Sequence, residues 1–461
     1  MIPTRFEDAS LDEIASALAV LSQGFTSLPP AQPQPLGSDG ARVLAEVAGR
    51  LQDNYPYFHP LYAGQMLKPP HPVARAAAAL ADWINPNNHA LDGGRASSHL
   101  EREAVAEIAA MVGWVHPLAH LTSGGTMANL EALWVASREH PGKRVVASRQ
   151  AHYTHARISG VLGMPFEAID HDSHGRMSLD SLRASLESGD VGTIVATLGT
   201  TATGSVDPLA DILPLAQRHG ARVHADAAYG GYYTLASTLG AAARRHYDAL
   251  PHVDSIVIDP HKHGLQPYGC GCVLFSDPSA GRHYKHDSPY TYFSSTELHL
   301  GEISLECSRP GRAAVALWAT QRLLPLVRGG QFATMLESCR AAALDLHARI
   351  AADARFLPAF APELDIVAWV PRAPTATHAS HLARRIFDEA ARRDLHLALA
   401  ELPVAFFDLH GAGMQADRAT LTCLRSVLMK PEHRDWVPRI VELLQEATDA
   451  ALASPAAVEA R

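Results

Sequence analysis

Between about Pro72 and Pro325, short apolar runs rich in β-branched residues alternate with stretches whose apolar positions recur at helical spacing. The runs are RVVAS (144–148), TIVATLGT (193–200), RVHADAAY (222–229), SIVIDP (255–260) and CGCVLF (270–275). They carry apolar residues on both faces, and helical text such as LADILPLAQRHG (209–220) lies between several of them. A strand that is apolar on both faces must be covered on both, so the pattern predicts an α/β fold with a mainly parallel sheet sheathed by helices.

The flanks read differently. Residues 11–21 (LDEIASALAVL) and 41–52 (ARVLAEVAGRLQ) predict two helices separated by the proline-rich breaker 27–37 (SLPPAQPQPLG). This arm has too little apolar surface for a core of its own and must pack on the body or on a second subunit. After residue 330 a long helix (331–356) is followed by strand-like ELDIVAWVP (363–371) and ATLTCLRSVLM (419–429), then by a last helix (436–453). The reading is therefore an N-terminal helical arm and linker over 1–71, a large α/β domain over 72–329, and a smaller C-terminal α+β domain over 330–461.

Composition narrows the function classes. The 461 residues are 47% hydrophobic and 19% charged, with a formal net charge of −9. No basic cluster is long enough to track a phosphate backbone, which argues against nucleic acid. No apolar run approaches membrane-spanning length and the N-terminus has no signal-peptide pattern, so a cytoplasmic protein without a membrane partner is expected. Five scattered cysteines read as reduced thiols.

In open α/β sheets ligands bind where strands end, and polar residues mark such places here. Thr122-Ser123-Gly124-Gly125-Thr126 precedes a helix, and small residues, hydroxyls and a helix N-terminus together suit a phosphate. His152 follows RVVAS by a short turn, and Asp226 ends the run RVHA beside small Ala227 and Ala228. Lys262 sits in DPHKHG between two apolar runs, where an ammonium is costly unless it is neutral, paired or used covalently. An amine near phosphate donors and a buried carboxylate is what a Schiff base with pyridoxal phosphate requires.

The segments TSGGTMANLEAL, QAHYTHARISG, ATLGTTATGSVDPL, HADAAYGG, DPHKHG and CSRPGRAAVALWA occur in this order over roughly residues 50–330. Together they resemble the group II pyridoxal-phosphate-dependent decarboxylases, which include aromatic amino acid, glutamate and tyrosine decarboxylases. The resemblance implies a pyridoxal-phosphate-dependent transferase-like fold of the aspartate aminotransferase type (fold type I). It also implies pyridoxal 5′-phosphate as cofactor, a small-molecule amino acid as substrate, and a homodimer with shared active sites.

By the same resemblance, Lys262 holds the cofactor as a Schiff base with His261 near the phosphate. Asp226 pairs with the ring nitrogen, Ala228 and His152 cover the ring faces, and Ser123, Gly124, Gly125 and Thr126 hold the phosphate. Thr201 reaches the ring oxygen or the neighbourhood of Asp226, and Ser308 of SRPG approaches the cofactor phosphate of the neighbouring subunit. The implied reaction is decarboxylation of an L-amino acid, with an aromatic side chain slightly favoured. A carbon–carbon lyase resembling sphingosine phosphate lyase and an oxidative aldehyde synthase are the alternatives. The proton donor is expected in 281–302, which carries Tyr284, Tyr290 and Tyr292; spacing favours Tyr290 or Tyr292. Phe58, His59, Tyr62 and Gln65 are candidate substrate contacts, with Asn88 and His89 across a dimer interface. The 26 histidines and Cys270-Gly271-Cys272 match no common zinc spacing, and no metal is expected.

Overall fold

A computed structural model describes residues 9–29, 35–285 and 298–453. Its centre is a seven-stranded sheet of β1 (Leu118–Thr122), β2 (Arg144–Ser148), β3 (Phe166–Ile169), β4 (Val191–Thr197), β5 (Arg222–Asp226), β6 (Ser255–Ile258) and β7 (Gly271–Phe275). The spatial order is β1-β7-β6-β5-β4-β2-β3. All pairs from β3 to β6 are parallel, and β7 runs antiparallel between β6 and β1. The five strands β1, β2, β4, β5 and β6 therefore end at one edge of the sheet, where β7 begins.

The two-faced apolar pattern has a direct structural meaning. In β4 every residue is buried. Ile194 and Ala196 enter the core on one side, with Ile212 and Leu215 of the 209–219 helix, while Val195 between them enters the opposite side with Leu133 and Ile158. Period-two alternation thus delivers apolar side chains to helices on both faces.

A second sheet contains β8 (Phe356–Pro358), β9 (Ile366–Pro371), β10 (Ala398–Pro403) and β11 (Thr420–Val427) in the antiparallel order β10-β11-β9-β8. Trp369 is fully buried here among Leu346, Ile386 and Leu443 from the helices 331–352, 376–391 and 433–453. Residues just after the N-terminal helices join this sheet: Ala63 N–H donates to His396 O (2.9 Å), and Val427 N–H donates to Ala63 O (2.7 Å). The helix Gly37–Leu51 buries none of its residues, and Val43, Leu44, Val47 and Leu51 stand exposed.

Strands β1, β3, β8 and β10 were not among the predicted runs; LAHLT and ALAELP carry few β-branched residues and draw their stability from pairing. The run 222–229 also overshoots. β5 stops at Asp226 because Ala228 N–H turns back to donate to Asp226 Oδ1 (3.2 Å). The long helix ends at Ala352, not Phe356, which instead opens β8.

Candidate active site

At the shared strand edge lies a cavity of about 350 Å³. Each strand end contributes to it. β1 leads into Ser123–Thr126, β2 into His152, β4 into Gly199 and Thr201, β5 ends in Asp226 and Ala228, and β6 leads into Asp259, His261 and Lys262. Ten of the eleven predicted cofactor residues line this one space: Ser123, Gly124, Gly125, Thr126, His152, Thr201, Asp226, Ala228, His261 and Lys262. Ser308 does not line it; its Oγ accepts from Asn87 Nδ2 (3.1 Å).

The cradle is shaped by absent side chains. A Cβ on Gly125 would lie 2.6 Å from Asp259 Oδ2, and one on Gly271, at the start of β7, would lie 2.5 Å from the Gly124 carbonyl carbon. The helix Gly125–Glu139 starts here without a side-chain cap, so its first amides face the cavity unclaimed by a capping side chain. One neighbouring amide already holds an anionic group: Ser123 N–H donates to Glu306 Oε2 (2.9 Å).

Lys262 is less isolated than its flanking sequence implied. Its Nζ lies 3.1 Å from Asp259 Oδ2, with side-chain exposures of 22% and 3%. Asp259 stands three residues before the lysine, where one turn brings the two together, a pairing that no strand-end pattern signals. His261 Nε2 lies 3.6 Å from the same carboxylate, and burial lowers the His261 pKa. His263 faces away from the cavity. It is buried 3.2 Å from Asp365 Oδ2, with its ring against Tyr229 and Tyr233, and Tyr229 OH donates to Asp365 Oδ1 (2.6 Å). This cluster braces the lysine turn against the residue that precedes β9.

Asp226 is the most heavily supported group. Its Oδ2 lies 2.8 Å from His155 Nε2 and 3.5 Å from Asn129 Nδ2. Burial by itself would raise this carboxyl; the His155 hydrogen bond and charge outweigh it, helped by Lys262, and hold it well below the usual carboxylate range. Behind Asn129, His224 Nε2 lies 2.8 Å from Asn129 Oδ1 and His224 Nδ1 2.9 Å from Ser255 Oγ. Burial pushes His224 down to about 3, so it stays neutral. His152, at the cavity wall, has Nδ1 2.8 Å from Thr154 Oγ1, and burial lowers its pKa too.

Further from the cavity, two arginines hold its walls. Arg425 of β11, almost fully buried, donates to the carbonyls of Thr201 (2.6 Å) and Ala202 (2.9 Å) and to Gln65 Oε1 (3.1 Å). Arg309 of SRPG donates to Glu101 Oε1 (2.9 Å) and Leu121 O (2.6 Å), and Glu101 accepts in addition from Leu121 N–H and Asn88 Nδ2. Neither role had a local sequence signal.

Several candidates fall elsewhere. Phe58, His59, Tyr62 and Gln65 do not line the cavity: His59 packs edge-on against Trp436, Tyr62 against His396, and Gln65 reaches it only through Arg425. Asn88 is fully buried, bonded to Ser97 and Glu101. Tyr284 is buried against Trp134 and Phe275, away from the cavity, whereas Tyr290 and Tyr292 lie outside the described residues. Among the described residues no three His, Cys, Asp or Glu side chains gather as metal ligands, and no helix is long and apolar enough to cross a membrane.

Residues 53–370 match the model of the pyridoxal-dependent decarboxylase conserved domain. The chain belongs to this decarboxylase family. The family's cofactor is pyridoxal 5′-phosphate, and the cavity fits it: an uncapped helix N-terminus for the phosphate, a buried ionised carboxylate, and a lysine amine at one sheet edge. Among the decarboxylases it is similar to, the aspartate 1-decarboxylase of Aliivibrio fischeri is 31% identical over 221 residues, 41% of this chain and 40% of that one. The L-2,4-diaminobutyrate decarboxylase of Rhizobium meliloti is 32% identical over 296 residues, 59% and 58% of the two chains. A probable L-tyrosine/L-aspartate decarboxylase of Methanothermobacter thermautotrophicus is 27% identical over 262 residues, 56% and 70%. The matched stretch thus spans from 40% to 70% of these relatives' lengths. The fold matches mouse CSAD (TM-score 0.76, 20% identity, covering 93% and 92%) and Oryza sativa TDC with PLP and tryptamine (TM-score 0.77, 19% identity, 96% of each).

Proposed function

We propose that this protein removes the α-carboxylate of an L-amino acid as carbon dioxide, releasing the amine. The observation that carries the reading is the convergence of Lys262, Asp226, His152 and the Ser123–Thr126 cradle on one cavity. Lys262 would hold the cofactor aldehyde, Asp226 the ring nitrogen, His152 and Ala228 the two ring faces, and Ser123–Thr126 the phosphate with His261 beside them. Bound there, the cofactor supplies an aldehyde for the substrate amine and an electron-withdrawing ring that stabilises charge left at Cα.

The chain's own residues do the rest. Asp259, 3.1 Å from Nζ, orients the Lys262 amine until a ligand displaces the pair. Asp226 stays ionised under its three donors and so keeps a negative charge where a cationic ring nitrogen needs one. His152, neutral at pH 7, offers a flat face without adding a competing positive charge. Arg425 holds the Thr201–Ala202 rim in place through two backbone carbonyls. Tyr290 or Tyr292 is proposed as the donor of the proton returned to Cα.

For the substrate, the names of the relatives put tyrosine and aspartate first in any panel, with 2,4-diaminobutyrate next. A homodimer is part of the proposal: a 15-residue helix with an exposed apolar stripe and no buried residue is marginal by itself and gains stability from a second chain. Five cysteines without a disulfide support a reducing, cytoplasmic setting.

The test is an absorbance spectrum followed by a substrate panel. The purified protein with added pyridoxal phosphate should show a visible band that is abolished in Lys262→Ala. L-Amino acids should then yield carbon dioxide and amine in equal amounts. A colourless protein sinks the cofactor assignment; aldehyde with peroxide, or no carbon dioxide from any substrate, would move the assignment to the oxidative or carbon–carbon lyase alternative.

A further inference from the structure

The helix Thr154–Val161 opens at the cavity wall with His152 just before it and His155 in its first turn. His152 faces the cavity. His155 points inward: its side chain is 1% exposed, and its Nε2 meets Asp226 Oδ2 at 2.8 Å, the shortest contact to that carboxylate among the described residues. An ionised carboxylate offers only lone pairs, so His155 Nε2 carries the shared proton. The remaining ring nitrogen, Nδ1, is buried without a hydrogen-bond partner among the described residues, so the ring's polar role is directed at Asp226.

The groups packed around this contact leave His155 as the principal one able to adjust Asp226. From β5, His224 is neutral and bonded to Asn129 and Ser255. From the helix 125–139, Asn129 contributes a longer, uncharged donor at 3.5 Å. Lys262, from the turn after β6, is paired with Asp259, and His152 is engaged with Thr154.

We propose that His155 is a positioning residue that sets the charge and orientation of Asp226 toward the cofactor ring nitrogen. This rests on the cofactor reading above. A buried charge-assisted hydrogen bond fixes which way the carboxylate points and keeps it ionised before the cofactor arrives, so the ring meets a preformed counter-ion. Removing the donor leaves Asp226 in a desolvated site with Asn129 and the Ala228 amide alone, and its affinity for a cationic ring nitrogen and for a proton changes together.

The experiment compares wild type, His155→Phe, which keeps a flat ring and loses the donor, and His155→Gln, which keeps a donor. Three quantities are read: the dissociation constant of pyridoxal phosphate for apoprotein, the pH at which the bound-cofactor absorbance changes, and thermal unfolding without cofactor. His155→Phe should weaken cofactor binding about ten- to hundred-fold and move the absorbance midpoint by about one pH unit. His155→Gln should stay closer to wild type in both. A purely structural role would lower the unfolding temperature while leaving the absorbance midpoint in place, and that result, or unchanged cofactor affinity, overturns the proposal. If His155→Phe does not fold, His155→Gln against His155→Met makes the same comparison. A wild type that binds no cofactor would refute the cofactor reading itself and is told apart by the missing band.

Discussion

Glu101 and Glu103 lie two residues apart on one helix, each paired with an arginine, and their environments differ sharply. Glu101 and Arg309 are 2% and 5% exposed and 2.9 Å apart, whereas Glu103 and Arg322 are 50% and 51% exposed at the same separation. Glu101→Ala leaves a buried guanidinium without its counter-ion and also takes an acceptor from the Leu121 amide and from Asn88 Nδ2, which keeps only Ser97. Breaking a buried pair in this way costs about 3–5 kcal/mol. With a urea slope of about 3 kcal/mol/M, the unfolding midpoint should fall by roughly 1 M or more. Glu103→Ala serves as control and should leave the midpoint almost unmoved, because solvent screens the pair it breaks. The assay is urea unfolding of the apoprotein at fixed protein concentration, followed by cofactor titration. Leu121 is two residues before Ser123, so Glu101→Ala should also weaken cofactor binding. Equal midpoints for the two variants would refute the reasoning that burial, rather than geometry, sets the worth of these pairs.

Two further outcomes follow from buried cations. Lys430 donates to Tyr62 O (2.6 Å) and Leu67 O (3.2 Å), and burial pushes its pKa down to about 7. Between that value and the unfolded value near 10.4 the unfolded chain binds more protons, so this group's contribution makes stability rise with pH. Wild type should gain on Lys430→Met by about 2–3 kcal/mol from pH 7 to pH 9, and parallel stability curves over that range would contradict it. Arg425→Lys replaces a planar fork that spans two carbonyls with a single ammonium. It should reduce kcat/KM about tenfold with little loss of stability, and unchanged kinetics would show that the Thr201–Ala202 rim needs no tether.

Much of the site was legible because strand ends are marked locally. Lys262, Asp226 and His152 each close or follow an apolar run, Ser123–Thr126 precedes a helix, and one sheet edge gathers them into one cavity. The groups that were missed act across long sequence separations: Arg309 on Glu101, Arg425 on Thr201, Asp365 on His263. His155 had a faint signal, three residues after His152 and so one helical turn away. Its inward direction depended on how the 154–161 helix packs against the 125–139 helix and β3, which lets the side chain reach Asp226 at the end of β5. Phe58, His59 and Tyr62 were candidate substrate contacts by the resemblance of their segment and do not line the cavity; the rings of His59 and Tyr62 pack on Trp436 and Tyr57.

By itself, then, the sequence determined the class of the central sheet, the order of its chemistry-bearing strand ends, and the family and cofactor. These depend on period-two apolar patterning and on short motifs whose parts are adjacent in the chain. Tertiary structure alone decided that Lys262 is paired with Asp259, that Asp226 is held ionised by His155, and that the second sheet braces the cavity through Arg425 and Asp365. The reason is physical. A buried charge is stable only with a partner at hydrogen-bond distance, and which partner reaches it is set by packing between elements far apart in sequence.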